Sequence, residues 1–100
     1  MSEFNYKQLD DIIHSRIRLA IMALLVSVES ANFVFIREKV NTSDGNLSVH
    51  IRKLEDVKYV SSTKKFIDRK PVTTYRITAL GRKAFEAYVK HVNELLNIQS

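Results

Sequence analysis

The chain has 100 residues, 45% of them apolar, with 16 Lys or Arg against 11 Asp or Glu and no cysteine. That length supports a single domain over 1–100 with a modest core, and the missing cysteines exclude disulfide staples, zinc ribbons and thiol redox chemistry. No apolar run approaches the ~20 residues of a membrane span and Met1-Ser2-Glu3-Phe4-Asn5 lacks the order of a signal peptide, so a cytoplasmic protein without membrane contact is expected.

In chain order, Leu9, Ile12 and Ile13 predict a short N-terminal helix, and Ser15 caps the next, whose apolar positions Ile17, Ile21, Leu24, Leu25 and Val28 keep helical spacing. Glu29 to Asn32 is a polar break, after which Phe33-Val34-Phe35-Ile36 predicts a brief strand entering a short helix that ends near Val40-Asn41. Thr42, Ser43 and Asp44 offer three oxygens for a helix start, with Thr42 first in line as the cap. Leu47, Ile51, Leu54 and Val57 follow at i, i+4, i+7 and i+10, giving a helix over 43–57. Tyr59 to Phe66 and Val72 to Ile77 are β-rich and predict a hairpin over 59–77, turning through Asp68-Arg69-Lys70-Pro71. Thr78 caps a final helix over 79–97, where Phe85, Tyr88, Val89, Val92, Leu95 and Leu96 form a stripe too long for a small core to cover.

With Thr42 and Thr78 as caps, Gly45 and Gly81 both fall at the third helical position, where glycine costs ~1 kcal/mol relative to alanine. Something must approach both backbones closely. For Gly81 the expected neighbour is the base of the hairpin. For Gly45 it is either the preceding helix or a DNA phosphate.

The charge is concentrated. Between Ile51 and Arg76 there are eight Lys or Arg and three Asp or Glu, so the rest of the chain sums to zero. An amphipathic helix running into a basic ribbon suits polyphosphate, and a DNA-binding winged helix is the leading expectation. Leu47, Ile51 and Leu54 define the buried face of that helix, leaving Gly45, Asn46, Val49, Arg52, Lys53 and Asp56 outward. Asn46 can pair bidentately with adenine, Arg52 with guanine or phosphate, and the Val49 methyls can meet a thymine methyl. Ser43 and Ser48 can donate to phosphate. In the ribbon, Lys64, Lys65, Arg69 and Lys70 supply phosphate contacts, with Arg69 the candidate for the minor groove because guanidinium is weakly hydrated. Arg16 and Arg18 either reach flanking phosphates or, for Arg18, pair with an acid inside the fold.

Three blocks then become familiar: His14-Ser15-Arg16-Ile17-Arg18-Leu19-Ala20-Ile21, Thr42 through Glu55, and Thr74-Tyr75-Arg76-Ile77-Thr78-Ala79-Leu80-Gly81-Arg82. In this order and spacing the chain resembles small winged helix-turn-helix transcriptional regulators of the MarR/ArsR type, over roughly residues 9 to 90. The resemblance implies an α+β, mostly helical fold: a three-helix core, a two-stranded wing, and N- and C-terminal dimerisation helices. It implies a homodimer on double-stranded DNA, with helix 43–57 in the major groove and the wing at the minor groove. Leu9, Ile12, Ile13, Phe85, Tyr88, Val92, Leu95 and Leu96 are the expected dimer contacts. Such regulators often carry an Asp-x-Arg turn where this chain has Asp68-Arg69-Lys70, which leaves open which cation reaches deepest.

Nothing in the sequence assembles catalysis: Ser48 and His50 point to different helix faces, there is no glycine-rich phosphate loop, and no cofactor is implied. His91-x-x-Glu94 matches half of the zinc site that ArsR-type sensors share between protomers, but the other half is missing, so no metal is expected. His14 and His50 read as packing or capping residues. The alternatives to a DNA-binding regulator are a winged-helix protein-interaction module and a metal-responsive sensor. No ligand domain remains, so an effector would be another protein or would sit at the dimer interface.

Overall fold

A computed structural model describes residues 5–97. A single 3-10 turn at Tyr6–Gln8 precedes α1 (Arg16–Val26), β1 (Ala31–Asn32), α2 (Phe33–Val40), α3 (Asp44–Asp56), β2 (Val60–Ile67), β3 (Lys70–Ile77) and α4 (Ala79–Asn97). The strands form one antiparallel sheet in the order β1-β3-β2. The domain is mostly helical, a winged helix.

The core forms where α1 packs on α2, α3, α4 and β3. Ile21, Met22 and Leu25 of α1, Ile36 of α2, Leu47, Ile51 and Leu54 of α3, and Val60 of β2 are buried together. Ser15 caps α1 by accepting from the Arg18 amide, and Thr78 caps α4 by accepting from the Gly81 amide.

Four local expectations are corrected. No α-helix forms at Leu9 to Ile13. Asp10 instead accepts the Ile12 and Ile13 amides at 2.8 and 3.1 Å, a turn that drops Ile13 fully into the core while Leu9 and Ile12 pack partly buried beside it. The strand expected at Phe33 to Ile36 lies two residues earlier, because Asn32 accepts the Phe35 amide and caps α2 from Phe33 onward. The cap of α3 is Ser43, not Thr42: its Oγ accepts the Asn46 amide at 3.2 Å. Finally, the ribbon turns on two residues. Asp68 and Arg69 have φ of 52° and 66°, which is the left-handed geometry of a tight hairpin, and pairing runs unbroken from Val60↔Ile77 to Ile67↔Lys70.

Pro71 therefore lies inside β3, opposite Phe66. In a ladder closed by Ile67↔Lys70 its nitrogen points away from β2, toward the flank where β1 reaches only Thr74 and Tyr75. No partner there needs the missing N–H.

Gly81 meets the hairpin base as expected. A Cβ on it would overlap the Tyr59 carbonyl oxygen and come within 2.8 Å of the carbonyl carbon and 2.9 Å of the Cα. Gly45 has no protein atom within 4 Å of that position, so the preceding helix is not its neighbour.

Candidate nucleic-acid interface

The outward face of α3 is built by burying the other one. Leu47 and Leu54 are fully buried and Ile51 nearly so, which turns Gly45, Asn46, Ser48, Val49, Arg52, Lys53 and Asp56 to solvent. Ser48, Val49, Arg52, Lys53 and Asp56 line one shallow depression on that face. Val49 is 54% exposed, an apolar side chain set among polar ones and chemically able to meet a thymine methyl. Ser43 spends an oxygen lone pair on the Asn46 amide, which leaves its hydroxyl proton free to donate.

Three polar ties aim this helix, and two use residues whose roles the sequence did not reveal. Arg18 on α1 donates from Nε to the Ile12 carbonyl and from Nη1 to His50 Nδ1 at 2.9 Å. Arginine has no acceptor, so His50 Nδ1 accepts and its proton sits on Nε2. Burial, the Arg18 charge and the Lys53 charge all lower the His50 pKa and keep the ring neutral. Arg18 is thus spent inside the fold, on a histidine and a carbonyl rather than on an acid.

At the other end of α3, Lys58 adopts φ 64°, and the Tyr59 amide returns to the Leu54 carbonyl at 2.9 Å. The Tyr59 hydroxyl donates to Asp10 Oδ2, and burial together with that carboxylate pushes its pKa up to about 12. The third tie is Arg37 on α2, whose Nη1 lies 2.6 Å from Asp44 Oδ1 at the first turn of α3. That carboxylate holds the Arg37 guanidinium above its usual pKa, and the cation in turn offsets a negative charge that would face an incoming phosphate.

The wing separates its cations. Cross-strand register puts Lys64, opposite Thr73, on the face that leads back to Val60 and the core. Lys65 and Lys70 share the other face and Arg69 occupies the turn, so the four residues do not crowd one surface. Among the described residues, no ion pair engages Arg52, Lys53, Lys64, Lys65, Arg69 or Lys70. All six are exposed.

The expected dimer residues divide. Ile13 and Tyr88 are spent within one chain: Ile13 is fully buried and Tyr88 OH lies 2.8 Å from His14 Nδ1. Leu9, Ile12, Phe85 and Val92 are partly buried against the same core, whereas Leu95 and Leu96 stay exposed, as does Val89 of the same stripe. His91 Nδ1 is buried without a hydrogen-bond partner, and no cluster of three metal-ligating side chains exists among the described residues. No described helix is long and apolar enough to cross a membrane.

The profile of the winged helix DNA-binding domain family matches residues 17–96, from α1 through nearly all of α4. The chain belongs to that family. It is a family of DNA-binding rather than catalytic domains. An uncharacterized protein of Methanocaldococcus jannaschii is 38% identical over 84 residues, which is 84% of this chain and 91% of that one. The fold is shared with a transcriptional regulator homologue of Pyrococcus horikoshii OT3 at TM-score 0.79 and 29% identity, over 94% of this chain and 98% of the other. It is also shared with ZitR, a zinc-responsive MarR family member of Lactococcus lactis solved in complex with DNA. That match has TM-score 0.64 and 16% identity, over 98% of this chain and 66% of ZitR.

Proposed function

We propose that the chain is a homodimeric transcriptional regulator that recognises a specific double-stranded DNA sequence. The observation that carries the proposal is the concentration of exposed cations, Arg52 and Lys53 on the outward face of α3 and Lys64, Lys65, Arg69 and Lys70 on the wing, none of them in an ion pair among the described residues. Such a concentration of charge is costly by itself and is relieved by phosphates. In this reading α3 lies in the major groove. Asn46 and Arg52 read base edges, Val49 meets a thymine methyl, and Ser43, Ser48 and Lys53 hold phosphate. The wing lies along the adjacent backbone with Arg69 directed into the minor groove.

Leu95 and Leu96, 42% and 69% exposed, and Val89 extend the α4 stripe beyond the core, with Phe85 and Val92 at its edge. The radius of gyration of 15.3 Å exceeds the about 13 Å of a compact domain of this length, which fits a helix end and a wing that project from the body. To engage a two-fold symmetric site, a second copy packed along that stripe has to set the two recognition helices a whole number of DNA turns, about 34 Å each, apart.

In vitro selection from random duplex DNA at physiological salt tests the reading. A two-fold symmetric enriched sequence is expected, and failure to enrich any sequence moves the domain to a protein-interaction role. Sedimentation at tens of micromolar protein should show two chains, with Leu95→Asp producing one.

A further inference from the structure

The tip of the wing carries side chains that neither the core nor the phosphate contacts explain. Phe66 is 74% exposed and Ile67 54% exposed, next to each other in the most basic stretch of the chain. Register places them on opposite faces: Phe66 shares its face with Pro71, and Ile67 shares the other with Lys70. The turn from Ile67 to Lys70 holds Arg69 at φ 66°, a conformation glycine takes freely and arginine takes at a cost. Between residues 64 and 70 the sole acid is Asp68, against Lys64, Lys65, Arg69 and Lys70. An apolar tip inside a ring of cations suits a polyanion with an apolar interior better than it suits another protein.

Resting on the DNA-binding reading above, we propose that the wing tip is a wedge that opens the minor groove and bends the duplex. Arg69 leads from the turn into the groove. Phe66 and Ile67 follow, one on each face of the ribbon, and press apolar surface against the sugar walls and base edges. The strands of a ribbon lie about 4.8 Å apart. With side chains on both faces it is thicker than a minor groove about 6 Å wide. Entry therefore requires the groove to widen, and widening with partial unstacking kinks DNA toward the major groove. Lys65 and Lys70 hold the flanking phosphates while the apolar pair leaves water.

The test uses the full chain and a selected duplex of about 30 base pairs with a fluorescent donor and acceptor at its ends. Energy transfer is read at saturating protein for the parent, Phe66→Ala, Ile67→Ala and their double variant. Both apolar side chains are exposed, so truncation should leave the melting curve unchanged, which is checked first. The parent should bend the duplex by about 20–90°. The apolar double variant should still saturate the duplex but lose at least about half of the bend. It should also bind about tenfold more weakly, a loss recovered on a duplex with a mismatched pair under the wing, where deformation is easier. A straight duplex under saturating parent, or an unchanged bend with the double variant, overturns the wedge and leaves the DNA-binding reading standing. No binding of any duplex by the parent overturns both.

Discussion

The two glycines offer one substitution at two sites with opposite expected outcomes. Gly45→Ala adds a methyl to a position with no protein atom within 4 Å, on a helix whose backbone there is ordinary. Alanine gains the helix propensity that glycine lacks, so stability should rise by about 0.5–1 kcal/mol, with the lower end expected this close to the cap. Gly81→Ala gains the same propensity but drives a methyl into the Tyr59 backbone, at 2.8 Å from the carbonyl carbon and 2.9 Å from the Cα. That backbone cannot yield cheaply. Its carbonyl accepts the Thr78 amide at 3.0 Å, and Thr78 Oγ1 both donates to the Lys58 carbonyl at 2.6 Å and accepts the Gly81 amide. Overpacking of this kind costs about 1–3 kcal/mol or more. Because 1 kcal/mol moves the melting point of a domain this size by roughly 4–8 °C, thermal denaturation should show a rise of a few degrees for Gly45→Ala. Gly81→Ala should fall by at least about 5 °C. The same purified variants then answer the functional question. If a phosphate approaches the start of α3, Gly45→Ala should bind duplex DNA at least about fivefold more weakly although it is the more stable protein. Unchanged affinity would refute the close approach, and equal melting shifts at the two sites would refute the packing argument.

Asn46→Ala and Arg52→Ala should each cost on the order of 1–3 kcal/mol on the selected sequence and less on random duplex, measured by competition; equal losses would make both side chains phosphate contacts only. Lys65→Ala and Lys70→Ala should each lower the slope of log affinity against log salt by about 0.9, and a salt titration that keeps the parent slope removes the wing from the interface. Asp10→Ala strips acceptors from the Ile12 and Ile13 amides and from the Tyr59 hydroxyl, and should cost about 1.5–3 kcal/mol in urea denaturation. In the milder Asp10→Asn, the tyrosinate absorbance of Tyr59 should titrate below its parent value of about 12. His50 has a lowered pKa when folded, so the unfolded chain binds its proton more readily. Its contribution to stability is therefore present above the unfolded pKa and lost as pH falls through the folded one. His50→Asn keeps an acceptor for Arg18 without titrating, and its melting point should fall less steeply than the parent's from neutral toward mildly acidic pH.

Periodicity was enough to find the helices that face the core, because burial of Ile21, Leu25, Leu47, Ile51 and Leu54 is what selects those faces. The same periodicity predicts Gly45, Asn46, Val49, Arg52, Lys53 and Asp56 as outward, and all six are exposed, although it leaves out Ser48, which is exposed beside them. It failed where a single polar side chain decides the backbone. Asp10 draws Ile12 and Ile13 into a turn, although their spacing alone reads as helix. Asn32 starts α2 at residues whose β-branched and aromatic character reads as strand. The wing turn is hidden in the sequence because Pro71 looks like a turn residue and Asp68-Arg69 lacks the glycine that usually marks a two-residue loop. Local sequence does not encode the partners of Arg18 and Tyr59, which lie 32 and 49 residues away. A residue free to choose between phosphate and interior is placed only by the tertiary fold.

Those distant ties explain how so small a domain can hold the proposed recognition helix still. A helix whose buried face is three aliphatic side chains could rotate or slide by fractions of an ångström without losing much apolar area, since hydrophobic burial is not directional. Hydrogen bonds are directional. Arg18 pins His50 near the middle of α3, Arg37 pins Asp44 at its start, and Asp10 pins Tyr59 just past its end, from three different parts of the chain. None of the three uses Asn46, Val49, Arg52 or Lys53. The face proposed to meet DNA is thereby fixed in orientation while its side chains keep their hydrogen-bonding capacity, a separation that base readout requires: a donor already committed within the protein has little left for a base edge, and a donor on a loose helix discriminates poorly between bases.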